Sequence, residues 1–207
     1  MIDSALIDTL PSPSLVRSIV PDAISMRVIA ASVLIDVIGD LSELFVETVN
    51  GGSPLGFMPP ITRDTARDYW ISLLPELRAL RRILLVAMFN GRVIGSAQLE
   101  LSRRANSPHR ATVEKVFVGR SVRGRGVGTA LMNTIEDVAL QHGRTLLMLN
   151  TRNDLPPHHW YRTLGYVDVG VIPGWTIGAS GERYDHVSMF KELLRSEGLK
   201  ANYTAGS

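Results

Sequence analysis

Cysteine is absent from the 207-residue chain, and its absence excludes several classes of protein. A chain without cysteine has no disulfide framework, no thiolate metal site and no cysteine nucleophile. It can function in a reducing compartment, so we expect a cytoplasmic protein. Long apolar runs are also missing, because no stretch approaches the roughly twenty apolar residues of a membrane span. Asp3 stands where a signal peptide would carry positive charge, and we therefore expect no membrane partner.

A strong net charge is missing as well. The 22 Lys and Arg residues against 20 Asp and Glu residues leave a formal charge of +2, and most of the basic residues are scattered. This balance does not indicate a nucleic-acid-binding surface, which needs a basic face. A local basic cluster consists of Arg120, Arg123 and Arg125. We therefore expect no nucleic-acid partner, and we expect a small anion to bind at this cluster.

Length and composition favour a single globular domain. The chain is 45% hydrophobic and 20% charged, which is ordinary for a protein that buries a core. Residues 1–25 carry prolines and serines without periodicity, which predicts a loose or partner-dependent N-terminal arm. Residues 26–195 are predicted to form one domain, and residues 196–207 a C-terminal tail.

Hydrophobic periodicity predicts an α/β fold with a mixed, mostly antiparallel sheet. Thr62 is a candidate N-cap, and Asn90-Gly91 predicts a type I′ hairpin turn. The predicted helices are 33–49, 62–80 with a kink near Pro75, 129–141 and 154–164. The predicted strands are 26–31, 83–89, 93–101, 111–118, 146–149, 166–171 and 186–191.

The segment from Arg123 to Thr129 carries the main chemical signal, because glycines alternate with other residues between a predicted strand and a predicted helix. Such glycines let backbone N–H groups face an anion, and the helix N-terminus adds unpaired donors. A Rossmann turn needs another glycine spacing, and a P-loop ends in Gly-Lys-Ser/Thr. A glycine turn without a ligand would leave the neighbouring arginines unexplained. We interpret the segment as a pyrophosphate site.

The hexapeptide Arg123-Gly124-Arg125-Gly126-Val127-Gly128 resembles the Arg/Gln-x-x-Gly-x-Gly/Ala signature of the GNAT acetyltransferases. The run from Trp160 to Tyr166 is similar to the aromatic-Tyr-x-x-x-Gly-Tyr/Phe element of that family. Residues 44–52, 56–58 and 169–174 look like the tabtoxin-resistance acetyltransferases within it. The resemblance covers about residues 26–193 and leaves the predicted arm unmatched.

The resemblance implies a three-layer fold with about seven strands, in which strands four and five splay apart. It also implies acetyl-CoA as co-substrate, with the pantetheine arm in that opening and the pyrophosphate on the signature loop. The residues that would bind the cofactor are Val116, Phe117, Val118, Arg123, Gly124, Arg125, Gly126, Val127, Gly128, Thr129 and Asn150.

Acetyl transfer to an amine needs a proton donor for the departing thiolate and an acceptor for the amine proton. Tyr161 lies where the family often places the general acid, although it could also be a packed aromatic. Glu114 is predicted to share a strand face with Thr112, Val116 and Val118 and to act as the base, although an arginine or Lys115 could simply pair with it. The tabtoxin-resistance pattern has carboxylates at the positions of Thr112 and Asn150, which leaves Glu114 or water as the base.

The predicted reaction is direct acetyl transfer, in a ternary complex, to a primary amine of a small molecule such as an amino acid, a toxin or an antibiotic-like compound. Candidate acceptor contacts are Phe57, Trp175 and Tyr184, the last two in a glycine-rich hairpin that is either a substrate cover or a plain connecting loop. A non-catalytic acyl-CoA sensor and an enzyme acting on proteins or peptides are the alternatives, and a homodimer is allowed for. Because adjacent helical side chains diverge by about 100°, His158 and His159 do not form a metal pair, and we expect no metal.

Overall fold

The computed structural model describes residues 24–53 and 55–193, and in them one seven-stranded sheet lies between two layers of helices. The strands are β1 (Ile24–Ile29), β2 (Arg82–Phe89), β3 (Arg92–Leu101), β4 (Arg110–Val118), β5 (Leu146–Arg152), β6 (Val167–Ile177) and β7 (Arg183–Glu192). The helices are α1 (Leu34–Asn50), α2 (Arg63–Ser72), α3 (Leu74–Arg78), α4 (Val127–Gln141) and α5 (Pro156–Thr163). The predicted tail and most of the predicted arm lie outside the described residues, and β1 begins inside the range predicted for the arm.

The sheet has the order β1-β2-β3-β4-β5-β7-β6, and every neighbouring pair is antiparallel except β4 and β5. The parallel pair is short, running only from Arg110 opposite Leu146 to Thr112 opposite Met148. Beyond it β4 continues to Val118 and β5 to Arg152 without pairing to each other. The predicted mixed sheet with an opening between strands four and five is therefore confirmed.

Two apolar clusters fill the space on either side of the sheet. On one face, called here the α4/α5 face, residues such as Leu131, Ile135 and Tyr161 pack against the sheet. On the other, the α1/α2 face, Phe45 and Trp70 are fully buried against the sheet. Burial of large apolar side chains on both faces is the main stabilising contribution to such a fold.

Local sequence signals explain several helix and turn boundaries. The Thr62 hydroxyl accepts the Thr65 N–H at 3.1 Å, as expected of the N-cap of α2. The predicted kink is a break, with α2 ending at Ser72 and α3 starting at Leu74, because a proline interior to a helix removes a donor and clashes with the preceding turn. Asn90 and Gly91 have φ angles of 49° and 78°, which agree with the predicted type I′ turn.

The structure corrects the prediction of a connecting loop around Trp175 and Tyr184. Trp175 lies in β6 and Tyr184 in β7, and only residues 178–182 connect the two strands. The register shifts between Ile172 and Thr176, so the strand continues past the proline and glycine that suggested a loop. The Gly174 N–H donates to Asp185 Oδ1 at 2.8 Å, which ties the irregular part of β6 to β7.

Among residues 24–53 and 55–193, no helix is long and apolar enough to cross a membrane. Within those same ranges, His, Asp and Glu side chains nowhere come together in a group of three or more that could hold a metal ion.

Candidate active site

The opening between β4 and β5 leads to the N-terminus of α4. After β4 the chain makes one 3₁₀ turn over Arg120–Val122 and then passes through Gly124 and Gly126 at φ angles of 73° and 81°. These left-handed angles favour glycine. Gly126 is the N-cap of α4, and no side chain caps the helix. The first N–H groups of α4 therefore have no intrahelical or side-chain partner and are free to bind an anion.

The three glycines of the signature serve different purposes. A Cβ atom built at Gly124 or at Gly126 would meet no atom within 4 Å, so both positions border open space. A Cβ atom at Gly128 would lie 3.2 Å from Cζ2 of Trp160, so this glycine lets α4 pack closely against the aromatic ring. The motif alone suggested one role for all three glycines.

The arginines near the signature also differ in what they contact. The Arg123 Nε donates to the Val118 carbonyl at 3.1 Å and so lies along the end of β4, and Arg125 is exposed. Arg120 instead holds the C-terminus of α1: its N–H donates to Glu47 Oε1 at 3.1 Å and its guanidinium to the Gly51 carbonyl at 3.0 Å. Arg123 and Arg125 thus remain candidates for an anion, while Arg120 joins two loops.

A β-bulge in β4 changes which side chains face which layer. Ser96 pairs with Phe117 but Gln98 pairs with Glu114, so Lys115 and the next residue together lie opposite Ala97. Lys115 has a φ angle of 50°, a left-handed conformation rare for lysine. The extra residue reverses the alternation of side chains beyond this point.

The predicted common face of Glu114, Val116 and Val118 is therefore wrong. Val116 and Val118 pack on the α4/α5 face, whereas Phe117 lies in the cluster on the α1/α2 face. Val113, which precedes the bulge, belongs to the α4/α5 cluster. Because successive side chains of a strand point to opposite faces, Glu114 lies on the α1/α2 face. Period-two counting fails here because the strand contains one residue more than its partner.

Glu114 belongs to a network of ion pairs and hydrogen bonds on that face. Its Oε2 lies 2.6 Å from Nη1 of Arg82, which also donates to Gln98 Oε1 at 2.9 Å. The Tyr69 hydroxyl donates to the same Gln98 oxygen at 3.1 Å, and burial raises the pKa of Tyr69 to about 12. Sequence reasoning missed Arg82 and Tyr69, because their contacts join positions 32 and 29 residues apart in the chain.

Tyr161 is buried on the α4/α5 face, with 7% of the residue exposed. Its ring packs against Trp160 and Tyr166, with centroid distances of 4.9 and 5.7 Å. Burial alone, with no hydrogen bond to the hydroxyl among the described residues, raises the pKa of this phenol. The hydroxyl is therefore a protonated donor.

Gly165, the next-to-last residue of the run from Trp160 to Tyr166, explains the spacing of its two tyrosines. Gly165 has a φ angle of 88° at the end of α5, where its N–H donates to the Arg162 carbonyl at 3.0 Å. The Tyr166 N–H donates to the Tyr161 carbonyl at 3.1 Å, which completes a Schellman motif. The glycine thus ends the helix and places the Tyr166 ring against the Tyr161 ring.

His158, on α5, contacts a carboxylate and not a second histidine. Its Nε2 lies 3.0 Å from Asp168 Oδ2, so this histidine pairs with a carboxylate of β6.

The candidate acceptor residues lie apart from one another. Phe57 is half-buried and packs edge-on against Phe45 at a centroid distance of 5.0 Å. Trp175 is 52% exposed, and the guanidinium of Arg152 lies 3.5 Å from the centroid of the Tyr184 ring. Tyr184 also lines an open recess of about 230 Å³ at the ends of β5 and β7. No ring contact among the described residues joins Phe57 to either of the others.

Asn150 lies on β5 beyond its last pairing with β4. It stands opposite Ser188 of β7, whose hydroxyl donates to Asn150 Oδ1 at 2.6 Å. Asn150 therefore borders the opening, and its contact with a cofactor or substrate stays a prediction. The hydrogen bond from Ser188 occupies the carbonyl oxygen, which leaves the amide N–H groups as donors toward a ligand.

Comparisons with known proteins agree with this arrangement. The chain is 26% identical over 155 residues to an uncharacterized N-acetyltransferase of Azospirillum brasilense, covering 64% of this chain and 89% of that protein. It is 42% identical over 74 residues to N-alpha-acetyltransferase 80 of Mus musculus, covering 36% of this chain and 22% of that protein. The Salmonella typhimurium protein yncA, described as an acetyltransferase, was solved with its cofactor acetyl-CoA and has the same fold. The two structures superpose with a TM-score of 0.66 at 17% sequence identity, and the match covers 87% of this chain and 99% of that one.

The profile of the acetyltransferase (GNAT) family matches residues 52–166, which is more than half of the chain. The match includes the whole of β4, the signature loop, α4, β5 and α5. The chain therefore belongs to the acetyltransferase (GNAT) family, as the signature from Arg123 to Gly128 predicted, and it is an N-acetyltransferase.

Proposed function

We propose that the chain transfers the acetyl group of acetyl-CoA directly to a primary amine of a small molecule, with both substrates bound at the opening between β4 and β5. One observation carries this proposal. The sheet opens at the point where an uncapped helix N-terminus follows two left-handed glycines that border open space. An anion and the extended arm attached to it can bind side by side in such an arrangement.

The pyrophosphate of acetyl-CoA would bind the signature loop. Backbone N–H groups from Gly124 to Thr129 would donate to its oxygens, and Val127 begins the helix whose dipole favours negative charge. Arg123 and Arg125 would add charge-assisted hydrogen bonds. Gly128 would contribute by allowing close packing on Trp160, in addition to any donor it supplies.

The pantetheine arm would bind along β4. After Thr112 the edge of β4 that faces away from β3 has no strand partner within the described residues, so its backbone groups are available to a ligand. N–H groups near Val116, Phe117 and Val118 would hold the arm and the thioester carbonyl. A backbone donor to the oxygen that becomes negative in the transition state contributes about 3 kcal/mol in other acyl-transfer sites.

Tyr161 is the proposed general acid. The amine nitrogen attacks the thioester carbon, the C–S bond breaks, and the sulfur leaves as a thiolate that needs a proton. Burial raises the pKa of the Tyr161 hydroxyl and no hydrogen bond to it is found within the described residues, so it keeps its proton and would donate it to that sulfur.

Glu114 or water is the proposed acceptor of the amine proton. Glu114 lies on the α1/α2 face of β4, next to the opening, and its Oε2 bonds to Arg82. That contact positions the carboxylate and leaves Oε1 to reach the amine directly or through one water molecule. Asn150 is the other polar group at the border, but an amide accepts no proton at neutral pH.

The acceptor would bind on the α1/α2 face. The loop between α1 and α2 is held close to β4, because Asn50 bonds to both backbone groups of Ile61 and Arg120 bonds to Gly51. This loop brings Phe57 to the same face, and Tyr184 and Trp175 would contact the part of the acceptor beyond β5. A loop fixed so near the strand favours a compact acceptor over an extended peptide.

Two alternatives remain. The likeness to N-alpha-acetyltransferase 80 favours a protein N-terminus as acceptor, although it covers only 22% of that protein. The lack of a carboxylate at Thr112 and Asn150 motivates a sensor that binds acetyl-CoA without turnover. The likeness to tabtoxin-resistance enzymes, a role in resistance, the cytoplasmic location and the homodimer stay predictions.

An acceptor screen that measures release of free CoA thiol tests the proposal. The purified chain is incubated with acetyl-CoA and panels of small amines and of peptides, and the Gly126→Asp variant provides the control for background hydrolysis. We expect CoA release that depends on a small amine, with intersecting initial-rate patterns that indicate a ternary complex. Release with peptides alone would support the protein-directed alternative. Binding of acetyl-CoA without any acceptor-dependent release would support the sensor.

A further inference from the structure

The bulge in β4 presents a lysine side chain to the α1/α2 face of the opening. Lys115 follows the last residue paired between β4 and β5, Thr112, by three positions. Its backbone is left-handed, with a φ angle of 50°, which is uncommon for lysine. Asparagine or glycine would fit this backbone with less strain, so a long cationic side chain stands here at a position that disfavours it.

The ammonium group of Lys115 is enclosed on two sides. Its Nζ lies 5.8 Å from the centroid of the Tyr69 ring on α2 and 3.5 Å from the place where a Cβ atom of Gly56 would stand. Gly56 belongs to the loop between α1 and α2, so Nζ lies between that loop and the sheet. Because the residue is half-buried, desolvation lowers the pKa of the ammonium group.

No carboxylate among the described residues pairs with this ammonium group. Glu114 is the nearest in the chain, but its Oε2 bonds to Arg82 at 2.6 Å, and Glu100 bonds to the same arginine at 3.3 Å. The salt bridges found within the described ranges include none to Lys115. A partly desolvated cation is normally matched by an anion. Glu114 acts on this ammonium group electrostatically but forms no salt bridge with it, because its Oε2 bonds to Arg82.

The anion that would complete this site does not come from the CoA pyrophosphate. The signature loop leads into α4, and the residues on either side of Phe117, namely Val116 and Val118, face the α4/α5 layer. Lys115 points instead to Tyr69 of α2, on the other face of the sheet. The ammonium group thus lies on the face that would receive the acceptor.

We propose that Lys115 binds an anionic group of the acceptor, so that the preferred acceptors are primary amines that also carry a carboxylate, as α-amino acids do. The inference rests on the proposed function, since it names the class of acceptor used at that site. Tyr69 and Phe57 are the aromatic groups beside it, with ring centroids 5.3 Å apart, and they would contact the apolar part of the acceptor. Lys115 is then a specificity-determining residue, while proton transfer stays with Tyr161 and with Glu114 or water.

Acceptors that differ only in the carboxylate show whether the enzyme binds that group, independently of the reactivity of the amine. Each α-amino acid is compared with its own amide and with the amine that lacks the carboxyl group, at a pH where the same fraction of amine is neutral. For the native chain we expect kcat/KM to be about tenfold or more higher with the carboxylate, the scale of one charge-assisted hydrogen bond. Equal values for acid and amide would overturn the proposal.

Variants of Lys115 then test the residue. Lys115→Met should remove the preference, mainly through KM, with a much smaller effect on the amide. Lys115→Arg should restore part of the preference, because the charge returns. Arg27→Met, which removes an exposed positive charge from β1, is the control for a general change in charge. The anion site is refuted if Lys115→Met lowers kcat/KM equally for the amino acid and for its amide. It is also refuted if Lys115→Arg loses as much kcat/KM as Lys115→Met with both of these acceptors.

Failure of the inference and failure of the proposed function are distinguishable. Each variant is first tested for a gain in thermal stability with acetyl-CoA, which should match that of the native chain. Lys115→Asn, which tolerates a left-handed backbone, replaces Lys115→Met if the latter does not fold. Acetyl transfer to amines without any preference for carboxylates contradicts the inference alone. Absence of transfer to every acceptor contradicts both.

Discussion

The two faces of the sheet at the β4–β5 opening are built in different ways. On the α4/α5 face, the signature loop takes its shape from Gly124 and Gly126, whose left-handed angles are a backbone preference of glycine. On the α1/α2 face, the adjoining loop is fixed by side chains, with Asn50 bonded to Ile61 and Arg120 bonded to Gly51. The first arrangement is local in sequence, and the second joins positions up to 69 residues apart.

This difference matches the chemistry proposed for each face. A pyrophosphate is the same in every acyl-CoA, so a short segment of backbone N–H groups and glycines suffices to bind it. An acceptor differs from one enzyme to another, and its contacts depend on side chains from several elements. We therefore expect substitutions on the α4/α5 face to affect acetyl-CoA binding or the chemical step, and substitutions on the α1/α2 face to affect the acceptor.

The largest effect is expected for Gly126→Asp. The substitution places a carboxylate against the bound pyrophosphate and a side chain at a φ angle of 81°. The native chain should gain about 2.7 kcal/mol of stability at an acetyl-CoA concentration one hundred times Kd, seen as a rise in Tm, and the variant should gain none.

Gly143→Asp is the matched control for that experiment. Gly143 also has a left-handed backbone, at 70°, and a Cβ atom there would meet nothing within 4 Å, but it follows the opposite end of α4. Its variant should lose similar intrinsic stability and keep the gain with acetyl-CoA. An unchanged gain in Gly126→Asp would contradict the binding site.

A loss of kcat without loss of acetyl-CoA binding is expected for Tyr161→Phe. The ring is kept, so packing against Trp160 and Tyr166 should be preserved, while the proton donor is removed. We expect kcat to fall by about 10²-fold, the scale of general acid catalysis, with the thermal shift by acetyl-CoA intact. Tyr166→Phe removes a neighbouring buried hydroxyl and should leave kcat within about threefold. Equal effects of the two variants on kcat would show that Tyr161 is not the proton donor.

The same contrast decides how much of the molecule could be predicted from its sequence. The hairpin at Asn90-Gly91 and the glycines of the signature were predictable because a two- or three-residue preference determines each of them. The left-handed backbone of Lys115 opposes the local preference of lysine, so no short sequence pattern predicts it. The bulge that it forms reversed the predicted face of Val116 and Val118, and with it the expected neighbours of Glu114.

A pH-dependent loss is expected for Glu114→Gln. If the carboxylate accepts the amine proton, the rate should fall about tenfold or more near pH 7, where an alkyl amine with a pKa near ~10 is almost entirely protonated. The loss should shrink as the pH rises toward that pKa, because neutral amine is then abundant. Glu100→Gln is the control, since it removes another carboxylate from Arg82 at the far end of the same network. A native pH profile in Glu114→Gln would leave water as the proton acceptor.

A smaller effect, confined to the KM for acetyl-CoA, is expected for Arg123→Ala. The side chain lies along the end of β4 through its bond to the Val118 carbonyl, beside the signature loop. Loss of one charge-assisted contact should raise the KM for acetyl-CoA by about tenfold, with less change in kcat. High salt should reduce the difference between variant and native chain, because it screens the exposed charge. A fall in kcat alone would assign Arg123 to the chemical step.

The smallest catalytic effect, confined to the α1/α2 face, is expected for Asn50→Ala. Its amide donates to the Ile61 carbonyl at 3.0 Å and accepts the Ile61 N–H at 2.8 Å, so it closes the whole loop between α1 and α2. Removing both bonds should lower the free energy of unfolding by about 1 to 3 kcal/mol and raise the KM for the acceptor a few-fold, because the loop loses its fixed distance from β4. The gain in Tm with acetyl-CoA should be unchanged, since the signature loop forms from its own residues.

Thr62→Ala is the control for Asn50→Ala. It removes the N-cap of α2 next to the same loop, and it should lower the free energy of unfolding by about 1 kcal/mol without raising the KM for the acceptor. A weaker response to acetyl-CoA in Asn50→Ala would mean that the two faces are coupled and that the shape of the signature loop depends on the other side of the sheet.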